Sequence, residues 1–241
     1  KAFDFVSRDI LFKILHKIGC PPKLLSILVS FHADMQCSVC FDGYMSRKFP
    51  VKSGVKQGCV LAPTLFGIFF SILLAHAFDS ATDGVYIRTR ADADLFNLAH
   101  LRAKRKVTSV LLREMLFADD AAIASHTEEG LQRLIDCLAK ACKEFGVTIS
   151  IKKTEVMGQQ VPRPPHITID GEVLANVSTF KYLGTTLSCS ASLEAEINAR
   201  IAKATGTMAK LTKRVWTNNL LTMHTKLRVY VACVISTLLY G

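Results

Sequence analysis

Acidic residues are scarce in this chain: 20 Asp and Glu stand against 30 Lys and Arg, for a formal charge of +10 and a pI near 9.3. The deficit disfavours an acidic or neutral partner and points to a polyanion, nucleic acid first and an anionic membrane surface second. No signal peptide opens the sequence, so its eight scattered cysteines suggest no disulfide framework, and reduced thiols are expected. No second Cys/His pair follows Cys37 and Cys40 at finger-like spacing, which leaves that C-x-x-C as two cysteines of a strand pair and gives no zinc site. Repeats and low-complexity tracts are absent too. The chain starts on KAFD without an initiator Met and stops at LLYG without a polar tail, as a piece of something longer would. What is present is 241 residues, half of them hydrophobic, enough to bury a core in one large domain or two small ones.

Apolar spacing predicts a helix from Arg8 to Ile18, stopped by Gly19, and a second from Pro21-Pro22 through Ala33. Gln36 to Phe41 and Tyr44 to Val51, separated by Asp42-Gly43, read as a strand, turn, strand unit. Val60 to Phe78 has no Asp, Glu, Lys or Arg over nineteen residues, long enough for a membrane span by length alone, although Pro63 and polar flanks suit a buried core helix equally. Val85 to Arg90 is a candidate strand, and Leu95 to Val107 carries the basic run RAKRK, either a solvated face or a phosphate contact. Thr127 is placed to cap a helix with Leu131, Leu134, Ile135, Leu138, Cys142 and Phe145 on one face and Gly146 as its stop. Thr148 to Ile151 alternates as a strand, and the loop GQQVPRPPH at 158–166 suggests a subdomain boundary. A hairpin around Gly171 and a strand at Phe180 to Leu187 follow. Helices then run from Leu193 to Trp216, with Ile197, Ile201, Ala204, Met208, Leu211 and Val215 as an apolar stripe, and from Met223 to Tyr240. Lys203, Lys210, Lys213 and Arg214 give the first of these a basic side.

The stretch LLREMLFADDAAIAS at 111–125 sets Asp119 and Asp120 between two apolar runs, as in a hairpin whose strands are buried and whose turn is polar. An ordinary Asp-Asp turn is one reading. Two carboxylates concentrated at a rigid tip, as a hard divalent cation requires, is the other.

Five motifs in order favour the second reading. KAFD at Lys1 to Asp4, SGVKQGCVLAPTLF at Ser53 to Phe66, FADD at Phe117 to Asp120, KKTEVM at Lys152 to Met157 and FKYLGTTL at Phe180 to Leu187 resemble successive motifs of the reverse transcriptase domain of non-LTR (LINE-type) retrotransposons. The resemblance extends over nearly the whole chain; a group II intron maturase is a weaker match. It implies an α+β right-hand polymerase fold: a palm of antiparallel sheet with packed helices, partial fingers and the start of a helical thumb. Residues 1–157 would form fingers and palm, 158–190 the primer-grip region and 191–241 the beginning of the thumb, whose basic face would follow the duplex. With the palm motif at its start, Val60 to Phe78 becomes a buried helix and no membrane is expected.

The resemblance also implies roles. Asp119 and Asp120 would hold two Mg²⁺ ions, Asp119 as the direct ligand and Asp120 as its close neighbour, and with them catalyse attack of a DNA primer 3′-hydroxyl on a dNTP along an RNA template. Phe3 would pack under the incoming sugar and exclude a ribose 2′-hydroxyl, with an ordinary buried Phe as the alternative. Gln57 and Gly58 would lie beside the base pair, Gly58 leaving room for close approach. Lys153 would meet the triphosphate or protonate pyrophosphate, with Lys152 facing the other way on a strand. Tyr182, Leu183 and Gly184 would press on the primer backbone. The family's other metal-binding Asp stands three residues before the Lys of KAFD, ahead of residue 1, so the chain by itself is expected to be inactive. Asp4, on a strand, is out of register for that ligand and is read as structural or hydrogen-bonding. A noncatalytic remnant that binds RNA or DNA through its basic face is the competing expectation. Nucleus and cytoplasm follow from the resemblance alone.

Overall fold

The structure, a computed structural model, describes residues 2–89 and 108–240. The RAKRK run lies outside the described residues. Two compact units are formed, Lys1–Ile151 with Ile167–Val173, and Lys152–His166 with Leu174–Gly241.

The first unit is organised by three helices, α1 (Arg8–Lys17), α2 (Pro22–His32) and α3 (Ala62–Phe78), and a fourth, α4 (Glu128–Glu144). Helix α3 is apolar on every side, which suits a helix covered from several directions rather than a surface one. Leu65, Phe66, Phe69, Leu73, Leu74 and Phe78 are all buried, in one core with Leu11, Ile14 and Leu15 of α1 and Leu134, Leu138 and Cys142 of α4. Each such side chain contributes about 1.5–3 kcal/mol of transfer free energy, so this helix is the main source of the unit's cohesion. Pro63 stands in its first turn, where a missing N–H costs nothing. Among the described residues no helix is long and apolar enough to cross a membrane.

Helix α4 has the expected cap: Thr127 Oγ1 accepts from the Gly130 N–H at 3.0 Å, and Glu128 and Glu129 stand in the positive first turn. Its far side is held to the returning segment 167–173 by Gln132. That amide donates to Thr168 O and accepts from Thr168 N, both at 2.9 Å, as a strand neighbour would.

Among the described residues the strands pair only two at a time. The 36–50 unit is a hairpin interrupted midway. β1 (Gln36–Cys37) pairs with β4 (Phe49–Pro50), and β2 (Cys40–Phe41) with β3 (Tyr44–Met45). Asp42 at φ 48° and Gly43 at φ 79° make the turn that twisted strands favour. β5 (Val85–Thr89) pairs with β6 (Thr108–Leu112), β7 (Glu114–Phe117) with β8 (Asp120–Ile123), and β10 (Thr168–Ile169) with β11 (Glu172–Val173), all antiparallel.

In the second unit β9 (Glu155–Val156) runs parallel to β12 (Ala175–Asn176), and β13 (Thr179–Tyr182) forms a hairpin with β14 (Thr185–Ser188). Helix α5 (Glu194–Lys210) continues through a π-turn at Thr212–Trp216. The last predicted helix is α6 (Met223–Val229), a second π-turn at Tyr230–Ile235 and a short α7 (Ser236–Leu239).

Four expectations are corrected. Thr148 to Ile151 forms no strand; the chain enters a 3-10 turn at Ile151–Lys153 and pairs only from Glu155. The KAFD segment is likewise a 3-10 turn, Ala2–Phe5, and not a strand. The strands around FADD are half-buried rather than buried, with Phe117 63% exposed. Half of the predicted stripe is in solvent, Ile197 and Ile201 each 51% exposed and Met208 exposed with them, whereas Ala204 and Val215 of the stripe are buried and so is Glu196 beside it. In the first turn Glu196 is buried in place of Ile197 because the β13–β14 hairpin presents the Thr186 N–H, and Glu196 supplies its acceptor.

Candidate active site

The register Phe117↔Asp120 and Leu116↔Ala121 leaves Ala118 and Asp119 as the two central residues of the FADD turn. Ala118 has φ 53°, a left-handed conformation that the first central position of a tight hairpin turn requires and that a residue with a Cβ adopts at a cost. Side chains alternate along each strand, so Leu116 and Ile123 share one face and pack against the core, while Asp120 shares the other with Phe117. Asp119 and Asp120 are both exposed. Among the described residues neither carboxylate has a hydrogen-bond or ion-pair partner, so the tip is an uncompensated acidic pair on a basic protein.

Arg113, just before β7, fixes where this hairpin starts. Its Nη1 donates to Phe78 O at 2.9 Å and its Nε to Asp83 O at 3.1 Å, and the guanidinium lies over the Phe78 ring. Asp83 in turn accepts two hydrogen bonds from Arg133 of α4, at 2.9 and 2.6 Å, which hold its carboxyl below the usual range. The acidic tip is therefore tied to the ends of both α3 and α4.

The KAFD turn and the loop before α3 are joined by backbone. Val55 N–H donates to Phe3 O at 2.8 Å, Gly54 N–H to Val6 O at 2.9 Å, and Ser53 Oγ to Asp4 O at 3.1 Å. Asp4 thus takes part through its main chain. Gly54, buried and at φ 81°, is the point of closest approach: a Cβ there would lie 2.6 Å from Asp4 Cα. Arg8 completes the junction, donating to Gly54 O, His32 O, Val51 O and Ser53 O. The half-buried Phe3 ring stacks on Phe66, centroids 4.4 Å apart and planes 19° off parallel. Gln57 and Gly58 are exposed, and a Cβ on Gly58 would meet nothing within 4 Å. Phe3, Cys59 beside Gly58, Leu116 and Ile123 pack against the same core, so one core positions all three segments.

Lys153, Tyr182, Leu183 and Gly184 belong to the second unit. Lys153 is exposed on the 3-10 turn, beside Lys152, so the strand alternation expected to separate the two does not apply. Leu183 at φ 50° and Gly184 at φ 92° form a tight primed turn between β13 and β14. The Tyr240 ring closes on that turn, 3.0 Å from where a Gly184 Cβ would stand. On the neighbouring strand the Thr186 N–H donates to Glu196 Oε2 at 2.6 Å, and Arg200 pairs with Oε1 of the same carboxylate. The Arg200 hydrogen bond, then that of the Thr186 N–H, brings the Glu196 carboxyl down to about 2 against the opposing effect of burial. Lys203, Lys210, Lys213 and Arg214 are all exposed.

Arg8, Gly54, Arg113 and Glu196 were not singled out from sequence. Glu196 leaves a trace there, as Arg200 follows four residues later on a helix. Arg8 and Arg113 leave none, since their partners are main-chain carbonyls distant in the chain.

Among the described residues no three His, Cys, Asp or Glu side chains cluster to hold a metal. Asp119 and Asp120 nonetheless fit Mg²⁺, which takes one or two carboxylates and fills its remaining positions with water and substrate phosphates.

A family model described as "Reverse transcriptase (RNA-dependent DNA polymerase)" matches residues 1–187. The chain is 27% identical over 226 residues to the RNA-directed DNA polymerase from mobile element jockey of Drosophila melanogaster, covering 92% of this chain and 22% of that protein. It is 28% identical over 201 residues to the Retrovirus-related Pol polyprotein from type-1 retrotransposable element R2 of Popillia japonica, covering 78% and 29%. A Probable RNA-directed DNA polymerase from transposon BS of Drosophila melanogaster is 26% identical over 251 residues, covering all of this chain and 25% of that protein. The chain thus spans about a quarter of the length of these curated relatives.

Proposed function

Because the chain belongs to the reverse transcriptase (RNA-dependent DNA polymerase) family, we propose that it is the polymerase domain of a non-LTR retrotransposon protein, extending a DNA primer with dNTPs on an RNA template. The observation that carries this reading is the uncompensated Asp119-Asp120 tip, held by Arg113 and by the core that also seats Phe3 and the loop before α3. In a protein of charge +10, that tip is where a cation-dependent chemistry on a polyanion belongs.

Bound at Asp119 and Asp120, Mg²⁺ would lower the charge between primer and triphosphate and favour the primer oxygen as nucleophile. The chain's own residues do the positioning. Phe3, backed by Phe66, offers a flat wall that admits a deoxyribose and crowds a 2′-hydroxyl. Gln57 offers a neutral donor and acceptor to a base pair, and Gly58 lets main chain approach it. Lys153 presents a mobile ammonium for the triphosphate and the leaving pyrophosphate. Leu183 and Gly184, stiffened by Tyr240 and by the Glu196 bond to Thr186, press on the primer strand, and the cations of α5 and its π-turn follow the duplex phosphates. In polymerase terms, residues 1–157 act as palm and fingers, 158–190 as grip and 191–241 as the beginning of a thumb. Nuclear and cytoplasmic residence belongs to the same proposal.

Extension of a labelled DNA primer on an RNA template with Mg²⁺ and dNTPs, by the chain carrying Asp-X-X immediately ahead of Lys1, tests this reading. A product that disappears with Asp119→Ala supports it; a product indifferent to that substitution refutes it.

A further inference from the structure

The hairpin at 36–50 is used by nothing described so far. Residues 41–50 are all exposed, and at its tip Phe41 and Tyr44 face each other across the strands, each 81% exposed. Val39, just before β2, is 56% exposed. The other face carries Met45, 65% exposed, beside Cys40. A two-stranded hairpin with both faces in water gains little from its own side chains, yet this one is firmly rooted. Val51 N–H donates to Met35 O at 2.8 Å across its base, and Arg8 bonds the carbonyls of His32 and Val51 on either side. Its Asp42-Gly43 turn is of the stiff primed kind. Two large aromatic rings are thus presented to solvent on a rigid support.

The surrounding charge says what they are presented to. From Gln36 to Lys56 the cations Arg47, Lys48, Lys52 and Lys56 stand against Asp42 alone. Exposed aromatics interleaved with cations are the means by which proteins hold single-stranded nucleic acid, bases on rings and phosphates on ammonium or guanidinium groups. An apolar protein partner would call for neither the charge nor its single sign. The strand leaving the hairpin runs directly into Ser53 to Gly58, beside the Phe3 turn. We propose that the 36–50 hairpin is a stacking platform for the unpaired RNA template strand, with bases on Phe41 and Tyr44 and phosphates on Arg47 and Lys48. The identification of the strand as template rests on the polymerase reading above.

Fluorescence anisotropy of a labelled oligouridylate titrated with the chain at low salt tests the platform without catalysis. Phe41→Ala with Tyr44→Ala is expected to weaken binding at least about ten-fold, as expected when base stacks are lost, while Tyr44→Phe keeps it. Arg47→Ala with Lys48→Ala is expected to make the logarithmic salt dependence shallower by about 0.7 per cation removed. These side chains are exposed, so circular dichroism spectra are expected to be unchanged in all variants. Parent-like affinity in the double aromatic variant overturns the proposal, as does an absence of oligouridylate binding by the parent. Sedimentation in which the parent self-associates and the double aromatic variant does not, at equal RNA affinity, assigns the rings to a second copy instead. Failure of the polymerase reading shows elsewhere, as primer extension that survives Asp119→Ala.

Discussion

The Phe3 ring lies almost parallel on Phe66, 4.4 Å between centroids, joining the first motif of the chain to the last residue of the second, on α3. Phe66 is buried and Phe3 half-buried, so one ring supports and the other is presented. Removing each should therefore do different things. Phe66→Ala is expected to cost about 3–5 kcal/mol of stability, read from the urea midpoint. Phe3→Val is expected to cost less stability and, in the chain carrying Asp-X-X ahead of Lys1, to raise the use of rNTP relative to dNTP, read as the ratio of kcat/KM values. Unchanged sugar discrimination in Phe3→Val would remove Phe3 from the nucleotide site.

Gly54 and Gly58 separate close packing from open access in the same loop. Both have left-handed φ, 81° and 89°, but only at Gly54 does a Cβ collide with backbone, 2.6 Å from Asp4 Cα. Gly54→Ala is expected to lose about 2–4 kcal/mol, strain and overpacking together, and Gly58→Ala about 1 kcal/mol, from strain alone. Gly58→Ala should still lower primer extension by the chain carrying Asp-X-X ahead of Lys1. Equal stability losses in the two variants would contradict this assignment.

Acid should loosen the β13–β14 hairpin from α5. The Glu196 carboxyl is held at about 2, below its ordinary 4.5, by Arg200 and the Thr186 N–H. A carboxyl depressed on folding adds stability above its unfolded pKa, and that stability is lost as pH falls through the window from about 4.5 to about 2. Glu196→Gln should flatten the fall of the urea midpoint across that window. A parent and variant that lose stability in parallel over it would show that the carboxylate is not the sensing group.

Thiol reactivity should follow burial. Burial pushes the Cys142 thiol up to about 11, while Cys37, Cys40 and Cys189 are exposed. Iodoacetamide at about pH 8 is expected to modify those three exposed thiols in the folded protein and to spare Cys142 until denaturant is added. Early modification of Cys142 would contradict its place in the core.

The sequence is most informative where one local rule acts alone. The α4 face, the Thr127 cap, Pro63 at the start of α3 and the Asp42-Gly43 turn each follow from residues within one or two turns of chain. The FADD hairpin and its exposed carboxylates are legible for the same reason. What escapes is set by distant main chain. Arg8 and Arg113 bond carbonyls 24 to 46 residues away, and no pattern of side chains announces a carbonyl. The first half of the α5 stripe is misread, though Ala204 and Val215 are buried as expected, because hydrophobic spacing identifies Ile197 and Ile201 but is blind to the Thr186 N–H that draws Glu196 inward. The Thr148 to Ile151 alternation fails because a strand needs a partner edge, and the chain finds one only from Glu155.

The most direct measurement is primer extension on an RNA template with Mg²⁺ and dNTPs. It compares this chain, a chain carrying Asp-X-X immediately ahead of Lys1, and that longer chain with Asp119→Ala. The account predicts extension by the longer chain and a loss of at least about a hundred-fold with Asp119→Ala, as expected when a catalytic charge is removed. A folded longer chain that binds RNA in a salt-sensitive way but extends nothing, or one whose extension is indifferent to Asp119, would contradict it.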